Sequence, residues 1–197
     1  MNNLFIELFL ATSILTLFSS RLYSLFGWYL LNSLMLSLVA LTIGFQSGDH
    51  SMMISGGITM FLKVIIVPYV LKSLSEKHKL SRQIAPNIKS QYSVLLIPAM
   101  LVFTFYLAEP IVEVMSHHAN YIAIGVSSMF FALLLIIQQS TIMPKIVGFL
   151  MLENSIFLLG TTATDGMPLE IEFGIFLDFL MTIVIIILAF EKEEVQA

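Results

Sequence analysis

Along this chain, polar positions occur as short breaks between long apolar runs. The runs cover approximately residues 3–20, 24–45, 52–73, 93–114, 120–140, 144–163 and 171–190. About 20 apolar residues cross a bilayer core, so each run is of membrane-spanning size. Backbone groups in lipid must be hydrogen-bonded within their own segment, which predicts a helix for every run. The fourth run is the most interrupted, with Glu109, Pro110 and Glu113 in its last turns. The connections are short except around 74–92, and no linker or low-complexity tract divides the chain.

Composition agrees with this pattern. The chain is 58% hydrophobic and only 11% charged, with 16 Phe and 12 Met, and its mean hydropathy is +0.95. Soluble domains carry roughly 25% charged residues, more than twice that share. The fold class expected is an all-α integral membrane protein with about seven transmembrane helices.

The basic residues orient it. Arg21, Lys72, Lys77, Lys79, Arg82, Lys89, Lys145 and Lys192 all fall on one side of a seven-span arrangement. The breaks QSGDHS, EVMSHHAN and TTATDGMPLE on the other side hold neither Lys nor Arg. The positive-inside rule then places the N-terminus outside and the tail EKEEVQA in the cytoplasm. The start MNNLFIELFL lacks the basic n-region of a signal peptide, so the first span is expected to be retained.

Little chemistry is encoded in the usual motifs. There are no cysteines, hence no thiolate ligands for nickel or iron–sulfur clusters. The four histidines, at 50, 78, 117 and 118, fall in predicted breaks, and the adjacent pair His117 and His118 lacks a third ligand. No phosphate-binding loop, dinucleotide fingerprint or nucleophile–base pair is present.

The informative residues are ionisable ones inside the runs. Lys63 lies near the middle of 52–73, Glu153 at the middle of 144–163, and Asp178 close to the centre of 171–190. At 1.5 Å per residue, all three fall within roughly 3 Å of one plane. A charge at that depth costs at least about 2.5–3.5 kcal/mol, so each needs a partner, a watered cavity or a proton. Low dielectric and a nearby ammonium act on a carboxyl in opposite senses, which poises such groups to take up and release protons. Buried charges can also simply hold helices together, and for each residue taken alone both readings stand. Pro68 removes the hydrogen bond to the Val64 carbonyl, which predicts a kink just beyond the lysine. Gly148, Glu153, Asn154 and Ser155 are expected to face other helices rather than lipid.

Four stretches carry a family resemblance: GWYLLNSLMLS (27–37), FLKVIIVP (61–68), IVGFLMLENSIFLLG (146–160) and EIEFGIFLDFLMTIVII (170–186). They resemble, in order and at comparable spacing, the hydrogenase-4 component E family, membrane subunits of formate hydrogenlyase-type group 4 NiFe hydrogenases. That family is in turn similar to the K-type subunit of respiratory complex I and the C-type subunit of multisubunit cation/proton antiporters. The similarity implies a four-helix membrane region over 1–115 and a K-type-like three-helix region over 116–197, ending in a short cytoplasmic tail. In the K-type subunit two midmembrane glutamates help form a polar axis for protons. Asp178 matches the second of these, with Asp replacing Glu. At the first, Leu150 stands in the usual position and Glu153 follows three residues later, on about the same face and roughly 4–5 Å along the axis. Lys63 belongs to the added N-terminal spans.

The resemblance implies a non-catalytic subunit of the bacterial cytoplasmic (inner) membrane. No cofactor is expected in this chain, and the NiFe centre and iron–sulfur clusters would reside in partner subunits. Expected partners are antiporter-like membrane subunits, the hydrogenase large and small subunits, iron–sulfur subunits and the lipid bilayer, with no nucleic acid. Lys63, Glu153 and Asp178 would carry proton or sodium coupling, supported by Asn154 and Pro68. A structural scaffold without an ion path, or a subunit of a cation/proton antiporter, are the alternatives.

Overall fold

A computed structural model of the protein describes residues 2–48, 50–77, 81, 83–84, 90–114 and 119–163. These residues are helical apart from short turns and isolated bridge positions. In order they form α1 (Asn2–Leu17), α2 (Leu22–Ser47), α3 (His50–Thr59), a π-helical stretch (Met60–Ile66), α4 (Val67–Lys77), α5 (Ser90–Val114), α6 (Ala119–Gln138) and α7 (Ile142–Ala163). The α3, π and α4 segments follow one another without a break and correspond to the third predicted span. Each of the first six predicted spans thus matches a helix to within a few residues. The seventh, with Asp178, lies outside the described residues, as do His78, His117 and His118.

Four of the described helical stretches are long and apolar enough to cross a membrane: Leu22–Gln46, Met52–Lys77, Tyr121–Gln138 and Ile142–Thr162. The first and fifth helices contribute shorter apolar stretches, Leu4–Leu17 and Ser93–Leu107. α1 pairs with α2 and α6 with α7 as antiparallel hairpins, and the hairpins pack together through α1 on α6 and α2 on α7. Large apolar side chains such as Leu95, Val102, Tyr106, Ile65 and Tyr69 remain on the outside. This is the inverse of a soluble protein's surface and is the one that lipid or a partner subunit solvates without cost.

The interior is apolar at both ends and polar between. One cluster of buried residues gathers Leu17, Leu25, Tyr29, Val67, Phe131, Val147 and Met151. A second gathers Phe9, Leu36, Met52, Ile124, Phe157 and Leu158. Along every helix that contributes to both, the residues separating the two are polar and buried: Thr12 and Ser13 on α1, Asn32 and Ser33 on α2, Lys63 on the π stretch, Ser127 and Ser128 on α6, and Glu153, Asn154 and Ser155 on α7. A polar layer therefore cuts the bundle at mid-depth.

The first cluster marks the basic end. The chain at 83–84 folds back onto the α1–α2 turn, with the Ile84 amide donating to the Ser20 carbonyl at 3.0 Å and Gln83 bridging to Arg21. Gln138 reaches the Leu17 carbonyl and Ser93 there. Among the described residues, Arg21, Lys72, Lys77 and Lys145 are exposed toward this end. One side of the bundle thus collects every described cation except Lys63.

Small residues set the closeness of the hairpins. A Cβ at Gly148 would lie 2.7 Å from Ile136 Cγ1 and 3.3 Å from the Ala132 carbonyl oxygen, and one at Gly125 would lie 2.8 Å from the Leu159 side chain. Gly27, by contrast, has open space around it. Gly148→Val is expected to destabilise the protein by about 1–3 kcal/mol through overpacking of α6 on α7. Gly27→Ala is expected to cause no loss, and thermal unfolding of the two variants in detergent compares them directly.

Candidate functional site

The site is built from the polar layer upward, and its centre is Lys63. An ammonium on a half-buried helix would ordinarily extend to the interface, but Lys63 is about ten residues from either end of its span and cannot reach it. It turns inward instead and is only 9% exposed, so the protein and not lipid must satisfy it. The backbone helps to place it. Pro68 has no N–H, and immediately before it the helix widens into π geometry, the Val67 N–H donating to the Leu62 carbonyl five residues back. In an α-helix that N–H would meet the Lys63 carbonyl. Where Pro68 predicts a kink just beyond the lysine, the helix shows instead a π-helical stretch with Lys63 at its middle, the kind of local widening that often accompanies functional side chains.

Lys63 Nζ donates to Asn154 Oδ1 at 2.9 Å. Its distance to Glu153 Oε2 is 4.0 Å, an ion pair at the outer limit of that class. Glu153 is 7% exposed and Asn154 fully buried. Two of the sequence-predicted residues, Lys63 and Glu153, thus meet, and Asn154 joins them through a direct hydrogen bond. The ammonium is hydrogen-bonded to an amide and paired with a carboxylate by charge alone. At 4.0 Å a proton does not pass directly between them, so transfer needs a closer approach or an intervening water.

From Asn154 the polar contacts run on into the first hairpin. Asn154 Nδ2 donates to Asn32 Oδ1 at 3.0 Å and to Ser33 Oγ at 2.9 Å. Asn32 Nδ2 donates to the Phe9 carbonyl at 3.1 Å, to Ser13 Oγ at 2.9 Å and to Thr12 Oγ1 at 3.2 Å. The Thr12 and Ser13 hydroxyls themselves donate to the Phe9 carbonyl, at 2.8 and 3.0 Å. Tyr29, one turn before Ser33, is fully buried, and its hydroxyl lies toward Ser33 and Glu153 without closing a hydrogen bond. On the far side of the layer Thr104 and Ser127 share a 2.5 Å hydrogen bond, while the Ser128 hydroxyl is buried without one.

Asn32 and Ser33 were not among the residues singled out from the sequence. A signal for them exists: Asn-Ser occurs twice at the middle of an apolar helix, in LLNSL and in LENSI. Both helices run from the basic end, and the two dipeptides face each other at mid-depth. An amide carries no charge and pays no ion-burial penalty, so a search for ionisable residues inside the spans passes over it.

Among the described residues no three His, Asp or Glu side chains come together in a way that could hold a metal ion. What the arrangement can do chemically is hold one cation and one acid at mid-depth, in a polar surround that spans α1, α2, the π stretch and α7.

No protein-family model matches the chain, and no solved structure matches it. It is similar to a protein of Mycobacterium tuberculosis that is described only as uncharacterized, with 23% identity over 153 residues, covering 77% of this chain and 70% of that one.

The hydrogen-bonded pair predicts non-additive energetics. Asn154→Leu strips Nζ of its acceptor and leaves Asn32 Oδ1 and Ser33 without their donor, a loss expected to be about 2–4 kcal/mol. In a Lys63→Met background the same substitution should cost about 1–3 kcal/mol less. Equal losses in both backgrounds, measured by denaturant unfolding in detergent, would mean that the contact contributes nothing.

Proposed function

We propose that this chain is a non-catalytic membrane subunit of a formate hydrogenlyase-type hydrogenase complex, in which midmembrane charged residues help to couple electron transfer to proton or sodium movement. The observation that carries this reading is the buried Lys63–Asn154–Glu153 node at mid-depth, taken together with the family resemblance of the stretches that hold it. A lysine and a glutamate that only glued helices together would be expected in tight hydrogen-bonded contact, because a charge pair stabilises a dry interior only when its geometry is close. Here the two stand 4.0 Å apart, at the outer limit of an ion pair and beyond a direct hydrogen bond.

On this reading Glu153, Lys63 and Asp178 are the ion-coupling residues, with Asn154 and Pro68 supporting them. The chain crosses the bacterial inner membrane seven times, with the N-terminus outside and the basic end of the bundle in the cytoplasm. Residues 1–115 form the added four-helix region and 116–197 the K-type-like region. The NiFe centre and iron–sulfur clusters belong to the large, small and iron–sulfur subunits, beside antiporter-like membrane partners. A scaffold role without an ion path, or membership of a multisubunit cation/proton antiporter, are the competing readings.

Two outcomes separate them. Affinity purification from native membranes in mild detergent should bring down nickel, iron and hydrogen-evolving activity in fixed proportion to this chain, whereas metal-free antiporter-like partners would support the antiporter. In the intact assembly, Glu153→Gln and Asp178→Asn should leave partner recovery unchanged and lower ion movement per electron several-fold. If those variants instead lose partners and stability, the buried charges are structural glue.

A further inference from the structure

The hydrogen bonds of the polar layer have a direction, and one backbone atom fixes it. The Phe9 carbonyl can only accept. It already takes the hydroxyls of Thr12 and Ser13, so Asn32 meets acceptors on that side and turns Nδ2 toward them. Its Oδ1 is then left facing Asn154, whose Nδ2 must meet it. Asn154 Oδ1 is in turn left facing Lys63 Nζ. The reverse polarity would set the Asn32 carbonyl against the Phe9 carbonyl, acceptor against acceptor. Three hydrogen bonds away, a main-chain oxygen of α1 thus decides that Asn154 turns its oxygen and not its nitrogen toward Lys63.

Amides do not release protons at working pH, and the series ends in α1 on a carbonyl, so it has no exit. We propose that Asn32 and Asn154 are positioning residues, not part of an ion path: they hold Lys63 Nζ off Glu153 at a fixed distance, and so set the proton affinity of that carboxyl without touching a proton. This rests on the reading of Glu153 as an ion-coupling residue but concerns a different property of it. Among the described residues, Lys63 from the π stretch and Tyr29 from α2 are titratable side chains that face Glu153, and α6 brings Ser127 and Ser128 to this depth. When Asn32 is removed, the Asn154 amide loses one of its two anchors and can turn, its hold on Nζ weakens, and the ammonium shifts relative to the carboxylate.

The test is an infrared titration of the Glu153 carboxyl C=O stretch in the complex purified from native membranes, the band being identified by its loss in Glu153→Gln. Asn32→Leu, although Asn32 contacts neither Lys63 nor Glu153, is expected to shift the midpoint of that band by at least one pH unit, a tenfold change in proton affinity. In a Lys63→Met background the shift should vanish, because the series acts through Nζ. Ser128→Ala, at the same depth but outside the series, should leave the midpoint in place. Should Asn32→Leu fail to accumulate, Ser33→Ala, which removes one of the two acceptors of Asn154 Nδ2, is expected to move the same band in the same direction by a smaller amount. An unmoved midpoint in a folded variant, or a shift that persists without Lys63, overturns the proposal. Ion-coupling assays do not enter this readout, so failure here leaves the functional reading standing, and loss of the functional reading leaves this one testable.

Discussion

An ammonium group placed at the middle of an apolar bundle must be satisfied from within the bundle, because the interface is out of its reach. Lys63 imposes that requirement, and much of the interior follows from it. The π-helical stretch before Pro68 carries the lysine inward, and Asn154 supplies its acceptor. Asn154 then needs acceptors of its own and finds them in Asn32 and Ser33, and Asn32 needs further ones and finds them in α1. Each polar residue is buried because the previous one required a partner. The result is a layer of amides and hydroxyls between two apolar clusters, running across helices that are far apart in sequence.

Such a layer is costly to build and gives little stability that well-packed leucines would not give. A buried polar network is stabilising only when its members are satisfied, and a half-satisfied one is worse than an apolar core. The asparagine branch is fully satisfied. The branch around Glu153 is looser, with a 4.0 Å separation from Nζ and a Tyr29 hydroxyl close by that closes no hydrogen bond. The proposed coupling role rests on this contrast and not on the mere presence of buried charge.

The architecture was largely legible in the sequence, since span length and hydropathy follow directly from what a bilayer demands. Six of the expected spans have their counterparts in helices, and the meeting of Lys63 with Glu153 was foreshadowed by their equal depth. Three features were not legible. The π geometry depends on which carbonyl each N–H selects, and a proline signals only that some irregularity is needed. Asn32 and its hydroxyl partners carry no charge, so a search for ionisable groups passes over them, and only their partnership with Asn154 shows what they do. The place of Asp178 relative to the node lies outside the described residues, so its role rests on its depth in the seventh apolar run and on the resemblance.

The central claim is that the charge on Lys63 serves ion coupling. Its most direct test is proton uptake into liposomes containing the purified assembly, recorded with a pH-sensitive dye during electron transfer, for the natural protein and for Lys63→Met. The account predicts that the variant keeps its subunits and its electron-transfer rate while proton uptake falls several-fold. Uptake unchanged in an intact Lys63→Met assembly would contradict it and leave the lysine as a structural residue.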